Sequence, residues 1–387
     1  MPVINLPTKD RALVRYTMRP PREFPQRASG SFNRVALAAA HVVADPLAAG
    51  DPWLDAALDW DASIAYRRHL WRLGLGVAEA MDTAQRGMGL DWPTSLALIR
   101  RSIAAARDIP GAILYCGAGT DHLAPGGHGI DAVIRAYEEQ IEAVEAAGGR
   151  LILMASRALA AVARGPEDYA RVYDRILGQV REKVIIHWLG DMFDLALAGY
   201  WGHRDLDRAS AVALEVIRGN AAKIDGIKIS LLDKEREIAM RRLLPKGVRM
   251  YTGDDFNYAE LIAGDGAHAS DALLGIFDAI APAASAALAA LARGEAGEFH
   301  DILAPTVPLS RHIFRAPTRF YKTGVVFMAY LNGHQRHFTM VGGEESARPL
   351  LHLAELFRLA DAAGLLADPE LAARRMATVL RLHGVEA

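Results

Sequence analysis

The residue with the most chemistry to offer is Lys228, inside the short apolar segment IDGIKIS (224–230). Alternation at period two sets Ile227 and Ile229 on one face of a strand and Gly226, Lys228 and Ser230 on the other. The isoleucines suit a face packed on helices, so Lys228 points into whatever the sheet encloses. An interior ammonium is costly unless paired or neutralised. Desolvation lowers an amine's pKa toward the neutral form that attacks carbonyls. Two readings fit this pattern: a Schiff-base amine, or a structural lysine neutralised by an interior carboxylate such as Asp254. Other groups able to do chemistry also sit at the ends of short apolar runs: His41 and Asp45, Asp82 and Thr83, Cys116, Ser156 and Arg157, His187 and Asp191, Asp254 and Asp255, and His268.

These groups converge only if the runs are strands of one sheet. Apolar runs at 34–43, 77–82, 111–116, 150–155, 183–188, 225–230, 248–253 and, more weakly, 267–276 read as strands. Between them lie helical patterns at about 53–73, 92–107, 128–147, 165–180, 205–222, 234–243 and 256–263. The fourth of these opens with Pro166 and acids in its first turn, as helix starts prefer. Gly148-Gly149 marks a helix end. Strands alternating with helices imply a parallel sheet with right-handed crossovers. Eight such units favour an α/β fold, a (β/α)8 TIM barrel, and no G-x-G-x-x-G follows the first strand to favour an open sheet. Helical patterns at 281–293, 297–304, 346–362 and 369–383 read as a C-terminal helical extension. The expected layout is an irregular lead-in (1–34), a barrel (35–294) and the extension (295–387). In such barrels active sites lie at the C-terminal ends of the strands, where the groups above would gather.

Composition narrows the function classes. A net charge of −2 with interspersed signs gives no field for nucleic acid or an anionic membrane. One cysteine excludes an internal disulfide and a cysteine-rich zinc site. The first residues are charged and broken by prolines, and no apolar run reaches the roughly 18 residues of a membrane helix. The expectation is a cytoplasmic protein that binds neither nucleic acid nor membrane.

Two segments then carry a resemblance. G-I-K at 226–228, T-G-D-D at 252–255, G-D-G-A-H at 264–268 and Ala281-Pro282 follow in the register of the dihydrodipicolinate synthase/N-acetylneuraminate lyase superfamily. Its Schiff-base strand reads "GIK(D/E)", followed by "(S/T)GDD" and "GGxG". The sequence resembles a divergent branch, the domain of unknown function 993 group. The resemblance implies that Lys228 carries the imine, and that His187, in KVIIHWLG, stands where the family has its proton-relaying tyrosine. MDTAQRG (81–87) matches the loop "GTTGE". There Thr83 is retained, Ala84 replaces the second threonine, and Asp82 replaces a glycine. Ala84 loses a hydroxyl and Asp82 adds a charge that repels a substrate carboxylate. Arg86 could compensate as a bidentate clamp, or Asp82 could hold substrate hydroxyls. Ser156-Arg157, Asp254 and His268 complete the expected substrate site, and no cofactor or metal is implied.

The expected activity is that of a class I aldolase-type lyase acting on a small carbonyl compound, a keto acid or a sugar derivative, in a homodimer or homotetramer. Two other readings stay open. His41, Asp45, Asp82, His187, Asp191, Asp254 and His268 are the ligand types of a metal-dependent sugar isomerase or epimerase. The lost threonine and tyrosine also suit a catalytically silent small-molecule-binding barrel. Cys116 reads as buried. The glycine-rich GAGTDHLAPGGHG (117–129) reads as a loop shaping the pocket, and the basic, aromatic RHIFRAPTRFYKTG (311–324) as an interface or pocket lid.

Overall fold

The computed structural model describes residues 1–82, 85–123 and 127–385. The first 34 residues, expected to be irregular, contain an antiparallel hairpin of β1 (Val3–Pro7) and β2 (Leu13–Thr17). Ile4 and Leu6 point inward from β1 at period two, a signal too short to read among the surrounding prolines. The hairpin packs on the C-terminal helices, with the Tyr16 hydroxyl donating to Asp361 at 2.7 Å.

Eight parallel strands follow: β3 (Ala36–Ala39), β4 (Gly76–Glu79), β5 (Leu114–Ala118), β6 (Arg150–Leu153), β7 (Val184–Leu189), β8 (Ile224–Ser230), β9 (Arg249–Thr252) and β10 (Asp271–Leu274). They close on themselves, β10 pairing with both β9 and β3. The expected (β/α)8 barrel is the fold. Helices 60–72, 92–107, 206–219 and 234–243 each begin after an aspartate, at 59, 91, 205 and 233. Each carboxylate accepts a backbone N–H of the first turn, satisfying donors that the helix leaves free.

The barrel is filled rather than hollow. Leu37, Ala78, Tyr115, Ile152, Ile185, Tyr251 and Leu273 pack against one another inside it. Ile227 and Ile229 instead join the larger core between strands and helices, so the alternation of β8 sends Lys228 inward. Beyond β10, helix 281–292 is followed by helices 296–303, 307–313, 321–331, 350–362 and 369–382, a C-terminal helical region. All eleven residues of helix 321–331 are buried. A helix buried on every side has no amphipathic stripe, so the helical period is absent from its sequence. No helix among the described residues is long and apolar enough to cross a membrane.

Candidate active site at the barrel mouth

Lys228 stands midway along β8, beside His187 of β7 and Tyr251 of β9 in the strand register. It is 7% exposed. Burial pushes its amine down to about 8, and the nearby Lys322 cation adds to that. The Asp82 and Asp255 carboxylates oppose the shift without cancelling it. Gly253 makes room for the side chain. A methyl group there would lie 2.8 Å from Lys228 Cε and 2.3 Å from Ser230 Oγ.

The wall across from β8 is built by residues far apart in sequence. Asp82, just past β4, accepts a hydrogen bond from the Tyr321 hydroxyl. Lys322 Nζ lies 3.1 Å from the same Asp82 oxygen and donates to the Ala39 carbonyl, at the end of β3, at 2.6 Å. Both Tyr321 and Lys322 open helix 321–331, so the extension supplies part of the mouth. Phe314 stacks on the Tyr321 ring at 4.3 Å and Phe193 meets its edge. Burial and the Asp82 carboxylate push the Tyr321 phenol well above its ordinary range, which keeps its proton on.

His187 Nε2 lies 3.2 Å from Ser230 Oγ, and its Nδ1 is buried without a hydrogen-bond partner. Burial first, then Lys228, hold its pKa well below the ordinary value, so the ring is neutral near pH 7. It can therefore accept a proton or exchange one with Ser230, but it is not a standing acid. Asp255 accepts the Ile276 N–H at 2.8 Å, and burial raises its pKa against the pull of Lys228.

Other expected residues serve elsewhere. Asp254 does not pair with Lys228. Its carboxylate accepts the backbone N–H groups of Phe256 and Asn257 and the Asn257 side chain, closing its own turn, while the carboxylates bearing on Lys228 are those of Asp82 and Asp255. Arg86 is not a free clamp. Its guanidinium is buried and bonded to Asp121, Gln140 and the Ala80 and Gly117 carbonyls. Ser156 caps helix 157–162 and shares a 2.6 Å hydrogen bond with Thr120, and Arg157 pairs with Asp194. Arg157 lines a cavity of about 370 Å³ on the β5–β6 side of the mouth. His268 is at the wrong end. It precedes β10, whose strand begins only at Asp271, and it lines a groove with Arg249 and Ala36 at the N-terminal ends of the strands. Thr83 and Ala84 lie outside the described residues.

Reading the sequence missed Tyr321 and Lys322, which fall within the segment taken as an interface or lid. A signal was present. Lys322 opens the run TGVVFMAYL, and the argument that singled out Lys228, a lysine among apolar neighbours, applies to it equally. The metal reading finds no support in the arrangement. Among the described residues no group of three or more His, Cys, Asp or Glu is placed to hold an ion, and His41 is bonded to Asp278 at 2.8 Å.

A family model described as "Protein of unknown function (DUF993)" matches residues 4–385. No curated protein matches the sequence significantly. Solved structures with the same fold include a putative dihydrodipicolinate synthetase from Pseudomonas aeruginosa, at 14% identity and a TM-score of 0.62 over 85% of this chain and 99% of that one. YagE from E. coli K12, a prophage protein of the dihydrodipicolinic acid synthase family in complex with pyruvate, matches at 13% and 0.63 over 91% and 99%. The dihydrodipicolinate synthase from Acinetobacter baumannii, complexed with pyruvate, matches at 16% and 0.63 over 86% and 99%. At these identities the likeness establishes the fold.

Proposed function

The chain belongs to the DUF993 family, and on that premise we propose that it is a Schiff-base-forming lyase of the class I aldolase type, acting on a small carbonyl compound. The observation that carries this reading is the buried amine of Lys228, held inside the barrel with its pKa lowered to about 8. A structural lysine would be kept charged by a dedicated partner. Here the two carboxylates nearest in effect are shared. Asp82 is also held by Tyr321 and Lys322, and Asp255 carries a raised pKa of its own.

In the proposed reaction the neutral amine adds to a ketone or aldehyde, giving a carbinolamine. Loss of water from it forms the protonated imine, which withdraws electrons from the adjacent carbon so that a C–C or C–O bond there can break or form. Asp255 and Asp82 take up and return protons beside Lys228. Tyr321, proton-bearing and hydrogen-bonded to Asp82, is the donor on the β3–β4 side, and His187 with Ser230 is the relay on the β7–β8 side. Lys322 offsets the Asp82 charge, so a substrate carboxylate is not turned away by Asp82 alone. Keto acids and sugar-derived carbonyls both remain compatible. Pyruvate is the first probe, because two of the barrels sharing this fold are described with it bound.

The test is reduction with borohydride in the presence of pyruvate and a panel of short keto acids, aldehydes and ketoses, followed by peptide mass mapping. The reading expects a reduced adduct on the peptide containing Lys228 with at least one compound. It is lost if no compound modifies Lys228, or if Lys228→Ala keeps full turnover on a substrate found by the panel.

A further inference from the structure

A second, chemically distinct cavity lies away from the mouth, where the N-terminal hairpin meets helices 307–313 and 350–362. It encloses about 750 Å³. Lys9, Arg315 and Arg358 bring cationic side chains to it, and His312 and His352 form part of its wall. Glu355 is the one carboxylate among its lining residues, and it is paired with Arg358 at 3.3 Å. Arg348, 5% exposed, lies behind the cavity. It donates to the carbonyls of Arg315, Ala316 and Pro317, which fixes the chain that carries Arg315.

The histidines show that this positive field is not internally balanced. Their rings stack at 4.1 Å and 15°, and His312 Nε2 donates to the His352 carbonyl at 2.9 Å. His352 is 1% exposed, yet neither of its ring nitrogens has a hydrogen-bond partner. Buried polar nitrogens without partners are rare in folded proteins and call for an explanation. The charges bearing on His352 act in one direction, whereas at His312 the Glu355 carboxylate opposes Arg315 and Arg348. Burial, His312, Arg348 and Arg315 all hold the His352 pKa down, to about 2, and burial with Arg315 holds Arg348 down to about 10. Helix 350–362 also starts here, with Pro349 before it and no side chain capping its first amides. The positive end of that helix dipole therefore adds to the same field.

We propose that this cavity is an anion site, which takes the phosphoryl or carboxylate group of a small metabolite between Lys9 of the hairpin and Arg315 and Arg358 of the extension. The occupant supplies the negative charge that the lining lacks. It also ties the β1–β2 turn to the helices, since Arg358 already donates to the Pro7 carbonyl at 2.9 Å. Lys9 and Arg315 are exposed, so replacing either leaves the packed core untouched. The site does not depend on the chemistry proposed at Lys228.

The experiment is calorimetric titration and thermal unfolding of the full chain with inorganic phosphate and, separately, with citrate, at constant ionic strength maintained with sodium chloride. The site predicts a saturable isotherm and a rise in Tm with at least one anion, and whichever saturates identifies the preferred group. Arg315→Ala and Lys9→Ala should each weaken that binding by roughly tenfold, the loss of one charge-assisted hydrogen bond. Lys228→Ala should leave it intact. No saturable effect with either anion overturns the proposal. So does binding that survives Arg315→Ala and Lys9→Ala unchanged, or binding that Lys228→Ala removes, which would place the anion at the barrel mouth instead.

Discussion

The two ends of the barrel handle charge in opposite ways. At the N-terminal end Arg249 sits 3.3 Å from Asp271 and 4.0 Å from Asp225, and the Tyr251 hydroxyl donates to Asp225 at 2.5 Å. Arg249 is 45% exposed there, and its carboxylate partners bind neighbouring strands β8 and β10 to β9. At the C-terminal end Lys228, Lys322, Asp82 and Asp255 are all buried and share partners rather than pairing one to one. Water reaches Arg249, so its ion pairs contribute little to stability, although burial and the Asp225 carboxylate still push the Tyr251 phenol up. The second set sits where charge is costly, and burial moves the Lys228 amine down and the Asp255 carboxyl up. Barrel enzymes place chemistry at the C-terminal end and stability at the other, so the shifted groups at the C-terminal end are the candidates for chemistry. His268 illustrates the point. It is the right residue type for a site and stands at the wrong end of its strand.

The sharpest way to break this contrast is Lys228→Ala, which should abolish the borohydride adduct entirely, as read by peptide mass mapping. Arg249→Ala should leave the adduct unchanged. Next in size, Tyr321→Phe removes the proton that the phenol holds on Asp82. Turnover should fall roughly 10²–10³-fold, the usual range for a lost hydrogen-bond donor that stabilises developing charge, while trapping at Lys228 persists. Equal loss of trapping and turnover would mean that Tyr321 only shapes the wall.

A third test works through sign. Lys322 lowers the Lys228 pKa and Asp82 raises it. Lys322→Met should therefore move the pH midpoint of trapping upward, and Asp82→Asn should move it downward. Shifts in the same direction would contradict the assigned electrostatics. The smallest effects belong to the N-terminal end. Arg249→Ala should cost about 0.2–1 kcal/mol in denaturant unfolding, less at high salt. His268→Ala should stay within about 0.5 kcal/mol of the parent, with unchanged turnover.

The barrel was legible because its strands repeat at a spacing that few folds share and because β8 alternates cleanly around Lys228. Helices 92–107 and 234–243 fall on their expected bounds. The helix carrying Tyr321 and Lys322 was not legible as a helix, since burial on every side erases the period on which such readings depend. The site was half legible for a related reason. Residues at strand ends can be enumerated once a barrel is recognised, but which of them turn inward is decided by local hydrogen bonds. Asp254 and Asp255 are adjacent and chemically identical. One closes its own turn through Asn257 and the other faces Lys228, and only the geometry separates them. Arg86 likewise looked available until Asp121 and Gln140, from a neighbouring loop and helix, were seen to hold it.

Lys228 is held to reach its neutral, nucleophilic form at a lower pH than an exposed lysine, and the most direct measurement is the rate of borohydride trapping at Lys228 as a function of pH with the best carbonyl probe. An amine attacks only when deprotonated, so the rate should climb as pH rises and level off above a midpoint near 8. A midpoint that stays near 10.5, the value of an exposed lysine, would contradict the account, as would an adduct found on any lysine other than Lys228.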